Sequence, residues 1–202
     1  RFYDDRMEAI PYDEPTDLMA ISVETYTAKR AYQIASEYRR RGVPVVMGGF
    51  HASLCPDEVC QYAETVVIGE AESLWAQVID DYRAGTPQKL YRASGRPSLE
   101  RSTPDRTIFR GKRYLPIGLF EASRGCHLKC EFCAVQTVFG QSQTRRPTDE
   151  IIEEIRAVWP HKKLIFFCGR QYLSRYGAGQ RIVAGFDPAE NSLGESGQHQ
   201  RG

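Results

Sequence analysis

The first part of the chain alternates between short apolar runs and longer stretches with helical periodicity. Apolar runs at 18–23, 43–47 and 65–68 predict buried strands. Apolar positions three and four residues apart predict helices at 28–41 and 73–84, and each is followed by a glycine that can end it. Strands that alternate with helices favour an α/β fold with parallel strands, which bind ligands beyond their carboxyl ends.

The pattern breaks over 86–116, where four prolines are separated by polar residues, and we interpret this stretch as a linker. It resumes with a predicted strand at 117–122, a cysteine-rich loop, a helix at 149–158 and a strand at 163–167. This order is that of the opening unit of a β/α barrel. Because a whole barrel needs roughly 200 residues or more, the barrel is expected to be incomplete here.

The last stretch, 168–202, differs from the rest of the chain. It contains 7 of the 17 glycines and no lysine, and its end is almost wholly polar. Such a composition predicts a disordered tail. We hypothesise that a frameshift produced it, because one choice of codons for Cys168-Gly-Arg-Gln-Tyr encodes Val-Asp-Asp-Asn-Ile one base later. An ordinary flexible terminus is the alternative.

Composition narrows the class of protein. Hydrophobic residues make up 41% and charged residues 26%, which is typical of a soluble globular protein. A net charge of +1 gives no reason to expect a nucleic acid partner, and no apolar run approaches the roughly 20 residues of a membrane span. The chain begins with Arg1 and a polar segment, so we expect a cytoplasmic piece of a longer protein. Without an export signal, six cysteines indicate a metal or catalytic site rather than disulfides.

Three of those cysteines carry the strongest signal. Cys126, Cys130 and Cys133 have the spacing C-x3-C-x2-C, with Phe132 directly before the last one. Three thiolates on one loop can hold three irons of a 4Fe–4S cluster and leave the fourth iron open to a small molecule. The alternative is a zinc site completed by His127 or His161, although this spacing is unlike the paired C-x2-C of most zinc modules.

A second motif follows two of the predicted strands. Gly48, Gly49 and His51 come after one strand, and Gly69 and Glu70 come after the next. Paired glycines allow a ligand to approach the backbone closely. The alternative is a tight turn with a solvated histidine.

Over about residues 1–167 these motifs together resemble the radical S-adenosylmethionine enzymes that carry a cobalamin-binding domain. The cysteine loop resembles the cluster signature of that superfamily, and G-G-x-H and G-E-x-E about 20 residues apart resemble runs of the cobalamin domain. The resemblance implies the C-terminal part of a Rossmann-like cobalamin-binding domain at 1–85, then the linker, then the start of a radical SAM barrel at 117–167.

The resemblance also implies cofactors and roles. Cys126, Cys130 and Cys133 would hold a 4Fe–4S cluster that cleaves S-adenosylmethionine reductively, and Phe132 would lie beside the adenine. Cobalamin would be lined by Gly48, Gly49, His51, Gly69 and Glu70 and would supply a methyl group or serve a related step. A small-molecule substrate and an electron donor such as flavodoxin or ferredoxin would be the partners.

The chain departs from the family pattern in three ways. The N-terminal part of the cobalamin domain is absent, and so is the D-x-H-x-x-G motif that supplies an axial histidine in some cobalamin proteins, a role that His51 does not take over. After the second barrel strand, Cys168-Gly-Arg-Gln replaces the segment that would bind the amino group of S-adenosylmethionine. The alternatives are therefore a non-catalytic cobalamin- or nucleotide-binding module with a structural metal, or a remnant without function.

Overall fold

The structure is a computed structural model, and it describes residues 1–158 and 164–169. These form two compact units. One unit consists of Tyr3–Pro97 and Lys129–Gly140, and the other contains Arg1–Phe2, Ser98–Leu128 and the described residues from Gln141 onward. The proposed frameshift, most of the expected tail and His161 lie outside the described residues.

A four-stranded parallel sheet forms the centre of the first unit. Its strands follow one another in chain order: β1 (Met19–Ser22), β2 (Val45–Gly48), β3 (Thr65–Ile68) and β4 (Leu90–Arg92). All four residues of β3 are buried, which is why its apolar run shows no alternation. The predicted α/β fold with parallel strands is confirmed.

Helices cover both faces of this sheet. The connections contain α1 (Ala28–Arg40), α2 (Phe50–Leu54), α3 (Pro56–Val59) and α4 (Trp75–Ala84). The apolar face predicted for α1, with Ile34, Ala35 and Tyr38, is buried in one core cluster with residues of α2, α3 and the sheet. Val78 of α4 packs in a second cluster, against Val46 and Val67.

Strand β4 falls inside the range interpreted as a linker. Its central residue, Tyr91, is 3% exposed, and its hydroxyl donates a hydrogen bond of 2.6 Å to Asp81. Burial and the bond to Asp81 raise the pKa of Tyr91 above its usual value. Three residues with only the middle one buried are too few to show a strand period, so the sequence pattern missed this strand.

Among its described residues, the second unit contains two pairs of strands and one long helix. β5 (Ile117–Glu121) pairs in parallel with β8 (Leu164–Cys168), and β6 (Ser123–Gly125) pairs antiparallel with β7 (Gln143–Arg145). Between them lie α5 (Ala134–Phe139), which belongs to the first unit, and α6 (Thr148–Val158). The two predicted strands and the predicted helix are present, whereas the β6–β7 pair and α5 were not expected.

The core of the second unit is small. Phe120 of β5 packs with Ile151 and Ile155 of α6, and Phe167 of β8 lies against them. Cys168, which the sequence placed in the tail, instead closes β8 in register with Glu121. Burial, together with the charge of Glu121, raises the pKa of the Cys168 thiol.

The sequence around α6 predicts a solvated face of acidic residues and a surface pair at Arg145 and Arg146 just before it, but some of these charged residues are buried. Glu154 is 5% exposed and Arg146, just before the helix, is 3% exposed. The Glu154 carboxylate accepts hydrogen bonds from Arg146 and, at 3.0 Å, from Nε of Arg106. The prediction of a surface pair is therefore wrong for Arg146, because its guanidinium pairs with the Glu154 carboxylate away from water.

Within the described residues, no helix combines the length and the apolar character that crossing a membrane requires.

We predict that Glu154→Ala lowers the free energy of unfolding by about 3–5 kcal/mol, because it leaves buried guanidinium charge without its carboxylate. Glu153→Ala is the matched control, since that neighbouring side chain is exposed and should change stability by less than about 0.5 kcal/mol. Urea unfolding followed by circular dichroism compares the two variants. Equal midpoints for both would contradict the assignment.

Candidate functional site

The turn after β2 approaches the end of β1 so closely that only glycine fits. Gly49 has φ 98°, and a Cβ built there would lie 2.9 Å from both the backbone N and the backbone O of Val23. Two hydrogen bonds hold this approach: Val23 N–H donates to Gly48 O at 2.8 Å, and His51 N–H donates to Val23 O at 3.0 Å. At Gly49 the close approach is therefore made by the protein's own backbone.

A hydroxyl that the sequence analysis did not single out joins the two glycine turns. The Ser53 hydroxyl donates to Gly49 O at 2.9 Å and accepts from Gly69 N–H at 3.0 Å. Gly69 also has a positive φ, of 88°. Gly48, Gly49, Gly69 and Glu70 thus lie at the carboxyl edge of the sheet, where parallel sheets bind ligands.

The side chain of His51 faces helices rather than solvent. It is 5% exposed, and its Nε2 lies 2.9 Å from the hydroxyl of Tyr32 on α1 and 3.6 Å from Oε1 of Glu58 on α3. Tyr32 also donates to Glu58 at 2.9 Å and stacks on Tyr62 with ring centroids 3.9 Å apart. The alternative of a solvated histidine is therefore wrong.

A cleft opens beside Glu70. It has a volume of about 210 Å³ and is lined by Gly69, Glu70, residues 93–96, Val138 and Phe139, all of the first unit. Glu70 is 9% exposed and pairs with Nε of Arg96 at 3.1 Å, and the Arg96 guanidinium lies over the Phe139 ring at 4.9 Å. The carboxylate, the guanidinium and the aromatic ring give this cleft polar and apolar walls. Sequence reasoning missed Arg96, which lies in the supposed linker.

The cysteine loop begins directly after β6 and ends directly before α5. Cys126 is buried, and its Sγ accepts the backbone N–H of Leu128 at 3.4 Å. Cys133 N–H donates to Cys130 O at 3.1 Å, and both of these cysteines are half-buried. In contrast, Phe132 is 89% exposed, so packing within the protein does not account for an aromatic residue at this position.

Relatives with assigned names are methyltransferases. The chain is 34% identical over 144 residues to bacteriochlorophyllide d C-8(2)-methyltransferase of Chlorobaculum tepidum, covering 66% of this chain and 31% of the relative. It is 32% identical over 163 residues to bacteriochlorophyllide d C-12(1)-methyltransferase of the same organism, covering 77% of this chain and 36% of the relative. The chain thus spans about a third of the length of these relatives. No family model matches it.

A solved structure shares the fold. The radical S-adenosylmethionine methyltransferase TsrM from Kitasatospora setae, determined with cobalamin and a [4Fe-4S] cluster bound, matches 85% of this chain and 41% of its own, with a TM-score of 0.60 and 14% identity. A second structure of TsrM, with tryptophan and a SAM analogue, gives a TM-score of 0.59 at 17% identity. At these identities the likeness establishes the fold.

We predict that Ser53→Ala destabilises the first unit by about 1–3 kcal/mol, because it leaves the partly buried Gly69 N–H without its acceptor. Ser36→Ala is the control: its exposed hydroxyl donates only to a carbonyl within α1, and its loss should cost less than about 0.5 kcal/mol. Thermal unfolding measures both variants. A Ser53 variant as stable as the Ser36 variant would show that the two turns are not coupled through this hydroxyl.

Proposed function

We propose that the chain is part of a cobalamin-dependent radical S-adenosylmethionine methyltransferase. The observation that carries the proposal is the C-x3-C-x2-C loop, which lies next to a strand of a chain whose fold matches TsrM over 85% of its length. The methyltransferase names of both Chlorobaculum tepidum relatives support methyl transfer as the reaction.

In this proposal Cys126, Cys130 and Cys133 bind a 4Fe–4S cluster. Three soft thiolates on one short loop are the donor set that iron–sulfur clusters require. When bound, such a cluster would supply an electron for the cleavage of S-adenosylmethionine, and cobalamin would carry the methyl group. The exposed ring of Phe132 would lie beside the adenine, where an aromatic face can stack.

The carboxyl edge of the four-stranded sheet would bind cobalamin. Gly48, Gly49, Gly69 and Glu70 would line the ligand, with the polar wall of the cleft at Glu70 oriented by Arg96. A cleft of about 210 Å³ is smaller than the roughly 300–1,000 Å³ typical of pockets for drug-sized ligands, so it suits one arm of a large cofactor. For His51 the predicted cobalamin contact rests on the resemblance alone, because its ring is engaged by Tyr32.

The substrate would be a small molecule, and the reduced cluster would need an electron donor such as flavodoxin or ferredoxin. The protein's part is to hold and orient the cofactors and to exclude side reactions, while the cofactors carry the chemistry. Activity on any substrate belongs to the proposal for the longer protein, since this chain spans about a third of its methyltransferase relatives.

We predict that anaerobic reconstitution of the chain yields a reduced 4Fe–4S signal in EPR that shifts when S-adenosylmethionine is added. Cys130→Ser should lose the signal, because only two of the three thiolates that hold the cluster remain. Cys60→Ser, outside the loop, should keep it. A cluster without a shift would contradict cofactor binding by this chain, and zinc bound in place of iron would contradict the proposal.

We also predict that Glu70→Gln weakens the binding of hydroxocobalamin about tenfold, which corresponds to about 1.4 kcal/mol. The charged partner of Arg96 is lost, and with it the polar wall of the cleft. Glu72→Gln is the control, since this nearby carboxylate is exposed and does not line the cleft. Spectroscopic titration compares the variants. Equal affinity for both would argue against cobalamin at this edge.

A further inference from the structure

We propose that His51, Cys55 and Glu58 form a binding site for a single transition-metal ion of the zinc type, separate from the three-cysteine loop. Among the described residues they form a group in which one ligand atom of each residue lies within 4.8 Å of the others. We call this group the His51 site. The inference does not depend on the proposed function, because it concerns a different ligand and adds Cys55 and Glu58, and for His51 it gives a role alternative to the cobalamin contact.

The site follows from the local chain geometry. His51 lies in α2, Glu58 in α3, and Cys55 forms the junction between the two short helices. The separations of four and three residues are those that place side chains on one face of a helix. The Cys55 N–H donates to His51 O at 2.8 Å, which extends the turn of α2 as far as Cys55, and α3 with Glu58 begins at the next residue.

The ligand atoms match one class of ion. An imidazole nitrogen, a thiolate and a carboxylate oxygen are the three kinds of donor that Zn²⁺ binds in proteins. The thiolate disfavours Mg²⁺ and Ca²⁺, which prefer oxygen ligands. One thiolate and one carboxylate carry two negative charges between them, so a divalent ion leaves the site neutral.

The state of His51 without metal also points to a ligand. Its Nδ1 is buried and has no hydrogen-bond partner among the described residues. The Tyr32 hydroxyl donates to Glu58 and lies 2.9 Å from Nε2, so a neutral ring that donates from Nε2 leaves Nδ1 as a buried acceptor without a partner. Such buried unpartnered nitrogens are uncommon, and Nε2 lies 3.6 Å from Oε1 of Glu58, a separation that one ion with ligand bonds of about 2.0 Å can bridge.

The site is buried at one end and open at the other. His51 is 5% exposed, whereas Cys55 is exposed and the Glu58 side chain is 52% exposed. An ion can therefore enter from solvent and bind to a ring already fixed by packing. Binding releases the thiol proton of Cys55 to solvent, with no change of oxidation state. A His51 ring bound to metal cannot also contact cobalamin, so the two assignments for this residue are alternatives.

The test uses the full chain with Cys126, Cys130 and Cys133 all replaced by serine, so that the loop does not compete for metal. Zn²⁺ binding is measured by calorimetry and by metal analysis after dialysis, and Co²⁺ serves as a spectroscopic probe of thiolate ligation. We expect one ion per chain and a thiolate-to-cobalt absorption band.

Two exposed ligands allow substitutions that should not unfold the chain. In the triple-serine background we expect Cys55→Ser to abolish the cobalt band and to weaken Zn²⁺ binding at least about 100-fold. Loss of a residue that only hydrogen-bonds to a metal ligand typically weakens binding by roughly 10–100-fold, so the loss of a direct ligand should exceed that range. Glu58→Gln should weaken it as well. Cys60→Ser and Asp57→Asn are the matched controls, each being a neighbour of the same type outside the group, and both should leave binding unchanged.

Three results would overturn the proposal: no bound ion, a cobalt band that survives Cys55→Ser, or equal losses in the test and control variants. Circular dichroism of each variant separates lost ligation from lost folding. Titration of the Cys55→Ser variant with hydroxocobalamin distinguishes a failure of this proposal from a failure of the proposed function. If the His51 site is separate, the cobalamin affinity of this variant should not change.

Discussion

The close approach of Gly49 to the backbone of Val23 is the constraint on which the carboxyl edge of the first sheet depends. A Cβ at Gly49 would lie 2.9 Å from two backbone atoms of Val23, so any larger residue would push the turn after β2 away from the end of β1. The two backbone hydrogen bonds between Val23 and the chain from Gly48 to His51 form only at this distance. Through Ser53 the same turn is joined to Gly69, and three neighbouring strand ends become one connected edge.

This constraint has two consequences. Toward the cleft, it presents Gly69 and Glu70 at the edge where parallel sheets bind ligands. Toward the helices, it starts α2 at a position that buries His51 between Tyr32 and Glu58. The run from Gly48 to Glu58 therefore contributes both to the candidate cobalamin edge and to the His51 site.

Elements whose burial shows as a simple period could be predicted from the sequence. The apolar run of β3 and the apolar face of α1 were identified within a residue or two, because burial on both faces or on one face leaves an unmistakable pattern. β4 could not, since one buried tyrosine in three residues has no period. In the candidate site, the sequence predicted only the residues that belong to motifs, namely the cysteine loop and the glycine turns. Ser53 and Arg96 could not be predicted, because they act through contacts with residues 16 and 26 positions away in the chain.

The main error of the prediction from sequence was to place charged residues at the surface that are in fact buried, and the physical reason for this error is general. A run of acidic residues on α6 has the composition of a solvated face, whereas burial of Glu154 is tolerable because its carboxylate pairs with the guanidinium groups of Arg146 and of Arg106, which lies 48 residues earlier in the chain. The same holds for Glu70 with Arg96. Periodicity reports where apolar residues lie, but it carries no information on which distant group neutralises a charge.

Donor type and spacing also separate the two sets of metal donors in this chain. Three thiolates spaced C-x3-C-x2-C on one short loop can each hold one iron, so the cysteine loop suits a multinuclear cluster. The His51 site, with one thiolate and one carboxylate, is neutralised by a single divalent ion, and its mixed S, N and O donors fit zinc better than an iron–sulfur centre. The amount of iron bound to the chain therefore reports on the cysteine loop only when Cys55 has been substituted or already binds another metal ion.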